Sequence, residues 1–164
     1  MTEDANDGRA DRDEEKGYAK RRPTERCLDN RPVVKADVRL VQGEGDYRLG
    51  LDVVSLTNGG GYLFGINPRN GAYSLFRVDD GNWKGGVALI DWTPSPHIRR
   101  DLETNRLRME RNQATITLYI NDQQVASLQD STYQHSGIGW TLYVRNYAQP
   151  SITQFSNIRQ LAWP

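Results

Sequence analysis

Cysteine is almost missing from this chain: Cys27 is the only one in 164 residues, so no disulfide forms within it. Histidine is nearly as scarce. His97 and His135 have no partner at ligand spacing, which leaves a zinc site or a histidine-based triad without support. No apolar run approaches the roughly 20 residues of a membrane span, and no apolar signal-peptide core opens the chain, so a soluble protein is expected. An excess of one charge is absent too: 21 basic and 21 acidic side chains cancel, without the long-range field expected of a nucleic-acid binder. Helical periodicity is missing over any stretch of about ten residues.

What apolar content there is, 37% of the chain, is spread unevenly. Residues 1–31 carry nine acidic and eight basic side chains, with Tyr18 as their only aromatic. Such a segment has too little to bury to offset the entropy of ordering it. Residues 1–32 are therefore expected to form a disordered charged tail, acidic from Glu3 to Glu15 and basic from Lys16 to Arg31. Residues 33–164 are expected to fold as one domain.

From Val33 onward the pattern is alternation. Val34, Ala36, Val38 and Leu40 share one face, and Leu49, Leu51 and Val53 alternate with Arg48, Gly50 and Asp52. Turn-forming clusters at 42–46, 57–61, 67–71 and 79–82 separate the runs. The most regular stretch is Asn105 to Asp130. Leu107 and Met109 alternate with Arg106, Arg108 and Glu110; Ile116, Leu118 and Ile120 alternate with Thr115, Thr117 and Tyr119. Asn112-Gln113 breaks the first run, and Asn121-Asp122 suits a two-residue turn, although glycine fits its second position better. Thr93 to Thr104, with two prolines, reads as a crossing loop. Trp140 is in phase with Ile138, Leu142 and Val144 and is expected in the core; Trp92 is expected to plug one end of it. Short strands with turn signals every 8–12 residues or so argue an all-β antiparallel sandwich or barrel.

The blocks Tyr62–Ile66, Gly71–Leu75, Asp80–Trp83, Asp91–Ser95, Asn105–Arg108, Leu118–Asn121 and Phe155–Ile158, in that order, resemble the concanavalin A-like lectin/glucanase jelly rolls. The likeness is strongest to a bacterial branch appended to larger proteins, and it runs from Val33 to Leu161. It implies an antiparallel two-sheet jelly-roll sandwich. It does not imply one function, because the fold hosts glycosidases, lectins and adhesion modules alike. Two departures stand out: Asp122 replaces the usual turn glycine, and Ser156 replaces an aspartate. The strand-forming sequence that normally precedes Val33 is replaced by the charged tail.

The Glu-x-Asp-x-x-Glu strand of the superfamily's retaining glucanases is absent. Asp91, Glu103, Glu110, Asp122 and Asp130 are scattered over turns and strand ends, so no catalytic residue is expected. No cofactor or metal is expected either: Asp79-Asp80-Gly81-Asn82 is rich in hard oxygen ligands, but a plain β-turn explains the same residues. Gly59-Gly60-Gly61 precedes a strand and is no phosphate cradle.

Candidate ligand-binding residues lie on the polar faces. Tyr119 and Tyr143 are each out of phase with the apolar set of their strand, Arg108 and Arg145 share those faces, and Trp83 stands open between core and surface. If these strands lie together in the concave sheet, they offer tyrosine faces and planar donors to a glycan or a peptide. An ordinary solvated face accounts for the same residues. The reading is a non-catalytic binding module with carbohydrate the ligand class the resemblance implies. The alternative is a structural or protein-interaction domain acting through an open sheet edge; a glycoside hydrolase ranks third. That edge is expected beside Val33–Leu40 or beside the last strand, to be closed by a homodimer or by a strand-pairing partner.

Overall fold

The computed structural model describes residues 12–13, 18–21, 32–42, 49–54, 60–79, 86–133, 140–144 and 152–162, with side chains placed for 33–42, 60–79, 86–133 and 152–159. Alternation becomes strand throughout. First come β1 (Arg12–Asp13), β2 (Tyr18–Arg21), β3 (Pro32–Gln42), β4 (Leu49–Val54), β5 (Gly61–Asn67) and β6 (Ala72–Val78). Then follow β7 (Val87–Pro94), β8 (Asn105–Asn112), β9 (Thr115–Ile120), β10 (Gln123–Gln129), β11 (Trp140–Val144) and β12 (Ile152–Ala162). They pair antiparallel in two sheets, one ordered β1-β2-β11-β4-β5-β6-β7 and the other β10-β9-β8-β3-β12. Among the described residues no helix is long and apolar enough to cross a membrane.

The core is what the apolar phases of the two sheets enclose. Tyr62, Phe64, Ile66, Tyr73 and Leu75 come from the seven-stranded sheet, and Val34, Ala36, Val38, Leu107, Met109, Ile116, Leu118 and Ile120 from the five-stranded one. Ile98 of the crossing loop joins them. Phe64 and Tyr73 meet edge-on at 6.4 Å between centroids. The register of β10 against β9 slips between Gln124 and Ala126, and the Val125 carbonyl there accepts the Tyr73 hydroxyl at 3.0 Å. A bulge in one sheet thus takes a hydrogen bond from the other.

Turns obey backbone sterics. Asn121 (φ 51°) and Asp122 (φ 67°) are both left-handed, the geometry of a two-residue type I′ turn, and Gln123 pairs back to Ile120. Between β8 and β9 the turn falls on Gln113-Ala114, one residue later than expected, with Asn112 still paired to Thr115. Gln113 holds φ 53° there. Replacing it with glycine removes the left-handed penalty but loosens the unfolded chain. Gln113→Gly should therefore stabilise by roughly 0.5–1 kcal/mol and raise Tm by about 1–3 °C in a melting experiment. A lower Tm would show that the Gln113 side chain contributes more than its backbone strain removes. Gly60 is required by a close approach: a Cβ there would fall on the Tyr133 hydroxyl and 2.8 Å from the Val78 carbonyl oxygen.

Several expectations need correction. The Val33–Leu40 strand is no edge. β3 lies between β8 and β12, because the last strand of the chain returns to pair along it from Pro32 to Gln42. The edges of that sheet are β10 and β12, so the second expected location, beside the last strand, is the one the topology keeps. The charged tail is not wholly without structure. β2 pairs with β11 through Arg21↔Trp140, Lys20↔Thr141 and Ala19↔Leu142, since main-chain pairing does not require apolar side chains. β1 (Arg12–Asp13) pairs with β2 in turn, and the remainder of residues 1–31 lies outside the described residues. Trp92 is partly exposed and outside the core, because β7 is an edge strand with both faces partly open. Trp140 opens β11, and its side chain lies outside those described.

Candidate functional site

The polar face of the five-stranded sheet is built by the residues that alternate with its core set. Arg106, Arg108 and Glu110 face away from the core on β8, and Tyr119 stands opposite Arg108 on β9. The Arg108 guanidinium lies 3.7 Å over the Tyr119 ring centroid and donates to Glu110 Oε1 at 2.6 Å. The Tyr119 hydroxyl donates to Glu110 Oε2 at 3.2 Å. Burial and the Glu110 carboxylate push the pKa of this phenol up, making it a weaker acid. Arg108 and Tyr119, two of the candidates named from sequence, are thus neighbours across the ladder. One ring face, however, is already taken by the guanidinium, so the group stacks on itself before it can stack on a ligand.

One row along the same face is a cleft of about 130 Å³ lined by Asp37, Arg99, Thr104, Arg106, Asn121 and Asp122. Three separate segments build it: β3, the crossing loop with the start of β8, and the β9–β10 turn. Asp37 pairs with Arg106 across the ladder, and its carboxylate accepts Arg106 Nε at 2.9 Å and Asn157 Nδ2 at 2.6 Å. Burial alone would raise the Asp37 carboxyl. The hydrogen bonds from Asn157 and Arg106 prevail and hold it below its ordinary 3.8. Asn157 reaches Asp37 because β12 carries a bulge between Ser156 and Arg159, with Asn157 at φ 50°. Arg106 NH1 also meets Asp122 Oδ2 at 3.3 Å. The guanidinium is therefore held at two corners by two carboxylates.

Asparagines lock the wall of this cleft. Asn105, 1% exposed, accepts Arg99 N–H at 2.8 Å and donates to the Arg99 carbonyl at 2.8 Å. Asn121 accepts Arg106 N–H at 2.9 Å and donates to the His97 carbonyl at 2.8 Å and to Asn105 Oδ1 at 2.9 Å. Arg39 Nε reaches the Leu102 carbonyl at 3.1 Å from β3. The Asn-Arg and Tyr-Ile-Asn blocks of the sequence thus act as a clamp. Asp37, Arg99, Arg106 and Asn157 were not singled out from sequence, because only the fold brings these distant segments together.

No protein-family model matches the chain, and no curated protein does. Solved structures do. The carbohydrate-binding module CBM66 from Bacillus subtilis superposes with a TM-score of 0.67 at 16% identity, over 88% of this chain and 81% of that one. Sheep galectin-11 in complex with glycerol gives 0.57 at 15% identity, over 82% and 92%. The GH43 protein BlXynB from Bacillus licheniformis gives 0.61 at 10% identity, over 90% of this chain but 30% of that one. The fold is a two-sheet jelly-roll sandwich, as in those structures.

The jelly roll separates the other residues read as ligand-binding. Tyr143 is on β11 of the seven-stranded sheet, whereas Tyr119 and Arg108 are on the five-stranded one, so the strands expected to share a single groove do not. Tyr143 pairs with Gly50, in register with Gly65 and Ser74 across the ladder. Arg145 and Trp83 lie outside the described residues. Asp79, at the head of the turn considered for calcium, accepts Arg77 Nε at 3.2 Å and the Tyr133 hydroxyl at 2.7 Å; residues 80–82 are outside the described set.

Proposed function

We propose that this jelly roll is a non-catalytic carbohydrate-binding module that engages glycan through the polar face of its five-stranded sheet. The observation that supports this best is the cleft beside Arg106, where planar donors and carboxylate acceptors are fixed side by side and open to solvent. Arg108 and Tyr119 extend it by one row. Sugars are recognised by such interleaved donors and acceptors. The non-catalytic part of the reading rests on the carboxylates. The carboxyls of Asp37 and Asp130 are held below their ordinary value by their hydrogen bonds, opposite to the raised value a general acid requires, and both carboxylates are engaged in the ion pairs described. Trp83 and Arg145 remain proposed contacts from sequence alone, whereas Tyr143, on the seven-stranded sheet, would need a contact surface apart from this face. The test is a glycan array with the whole chain. At least one glycan should be retained, and Arg106→Ala with Arg108→Ala should remove the signal. An array with no retained glycan ends this reading.

A second reading has its own observation. Ile152, at the start of edge strand β12, is 55% exposed, and Val41 on neighbouring β3 is 43% exposed. Such an edge can pair with a second copy or a partner strand. Light scattering at micromolar concentration separates the two readings, since a monomer disfavours edge association and leaves the cleft as the functional surface.

A further inference from the structure

We infer that the cleft beside Asp122 is a subsite for a neutral vicinal diol, the hydroxyl-bearing edge of one sugar ring, and discriminates against acidic sugars. This rests on the carbohydrate-binding reading above and names the ligand class of the same site.

Charge is the first argument. Arg99 and Arg106 balance Asp37 and Asp122, so the cleft offers no net field to an anion or a cation. An incoming carboxylate would meet two carboxylates already paired with the arginine it seeks. The second argument is orientation. Arg106 uses Nε on Asp37 and NH1 on Asp122, leaving its NH2 donors without a described partner; Asp122 Oδ1 likewise takes no hydrogen bond from the described residues. A donor and an acceptor therefore stand side by side on one rigid pair. A hydroxyl both donates and accepts, so two adjacent hydroxyls complete that pattern where a carboxylate or an ammonium completes half of it. Asn121 supplies only wall, since its amide is already committed to Arg106, His97 and Asn105.

The third argument is backbone. Asp122 sits at φ 67° in the second position of the type I′ turn, where glycine is unstrained. The chain keeps a carboxylate there against the local preference, and that side chain lines the cleft. An unfavoured conformer retained beside a polar cleft points to a role outside the turn itself. The volume, about 130 Å³, suits a ring edge rather than an enclosed oligosaccharide. Arg108 and Tyr119 on the same face give the next sugar a path.

Asp122→Gly is the decisive variant, because the turn accepts glycine better than aspartate. Its Tm should equal or exceed that of the wild type, while its array signal falls at least tenfold. In parallel, the Arg106 Nε–H resonance is followed by NMR during titration with methyl glycosides of glucose, galactose, mannose and fructose and with methyl glucuronide. The expected result is a saturating shift with at least one neutral glycoside, and glucuronide binding no tighter than the glucoside. An array profile unchanged by Asp122→Gly overturns the subsite while leaving the carbohydrate reading intact. Glucuronide binding tenfold tighter than the glucoside overturns the ligand class. A wild-type chain silent on the array and in every titration overturns both.

Discussion

Asp130→Ala is expected to lower the unfolding free energy by about 2–4 kcal/mol, because it strips a part-buried ion pair and leaves the buried Tyr62 hydroxyl without its carboxylate acceptor. Its Oδ1 accepts the Tyr62 hydroxyl at 2.6 Å and the Thr132 N–H at 2.9 Å, and its Oδ2 accepts Arg77 NH1 at 2.8 Å. Tyr62 is on β5 and Arg77 on β6, whereas Asp130 follows β10 at the end of the opposite sheet. One carboxylate therefore ties the two sheets together. Tyr62 is wholly buried, so its hydroxyl would find no water after truncation. Tyr133 packs edge-on against Tyr62 at 5.7 Å, and its backbone carbonyl accepts Arg111 NH1, which extends the network inward.

This lock is also pH-dependent. Burial would raise the Asp130 carboxyl, but the hydrogen bonds from Tyr62, Thr132 and Arg77 outweigh it and hold the group at about 2, below the ordinary 3.8. A depressed carboxylate contributes stability that is fully present above the unfolded value. That stability is lost as pH falls through about 3.8 toward 2. The contribution is on the order of 2 kcal/mol. Denaturant unfolding at neutral pH and at several points between about pH 4 and 2 reads both effects. The variant should lose stability at neutral pH and also lose this part of the acid dependence. A neutral-pH loss under about 1 kcal/mol would mean that Tyr62 and Arg77 find other partners and that the sheets are not tied here.

Asn105→Ala is expected to cost about 2–4 kcal/mol, and glycan binding with it. The side chain answers the Arg99 N–H and carbonyl and also holds Asn121. It is buried, so truncation strands partners that water does not reach. The functional consequence follows from position, because Arg99 and the Asn121-Asp122 turn form the wall of the cleft. Asn105→Asp keeps the acceptor and loses the donor, and should fall between wild type and Ala. Chemical denaturation gives the first number and the glycan array the second. If Asn105→Ala unfolds as the wild type does, the crossing loop is held by Ile98 and its own turns, and the clamp is not structural.

What the sequence determined by itself was local. The period of two in Leu107–Glu110 and Thr115–Ile120 became strands with one face buried, because apolar alternation has only one way to satisfy a sheet against a core. The Asn121-Asp122 turn was legible for the same reason: the left-handed region is open to few residue types, and both are among them. Arg111 shows where that logic strains. It continues the buried phase of Leu107 and Met109, and Tyr133, from 22 residues on, brings its guanidinium a carbonyl there.

What only the tertiary structure decided was which sheet each polar face belongs to. Alternation tells the face of a residue and says nothing about its neighbours across the ladder. Tyr119 and Tyr143 carry the same signature, yet the jelly-roll connections between β10 and β11 carry the chain from one sheet to the other and part them. Pairing of β3 with β8 and with β12 brings Asp37 to Arg106 across 69 residues and to Asn157 across 120. A charged segment became strand β2 because backbone pairing is indifferent to side chains, so composition alone could not foresee it. The cleft was invisible in the sequence because its groups meet only through non-local pairing. That pairing is set by how two sheets close over one core, a property of the whole chain rather than of any stretch of it.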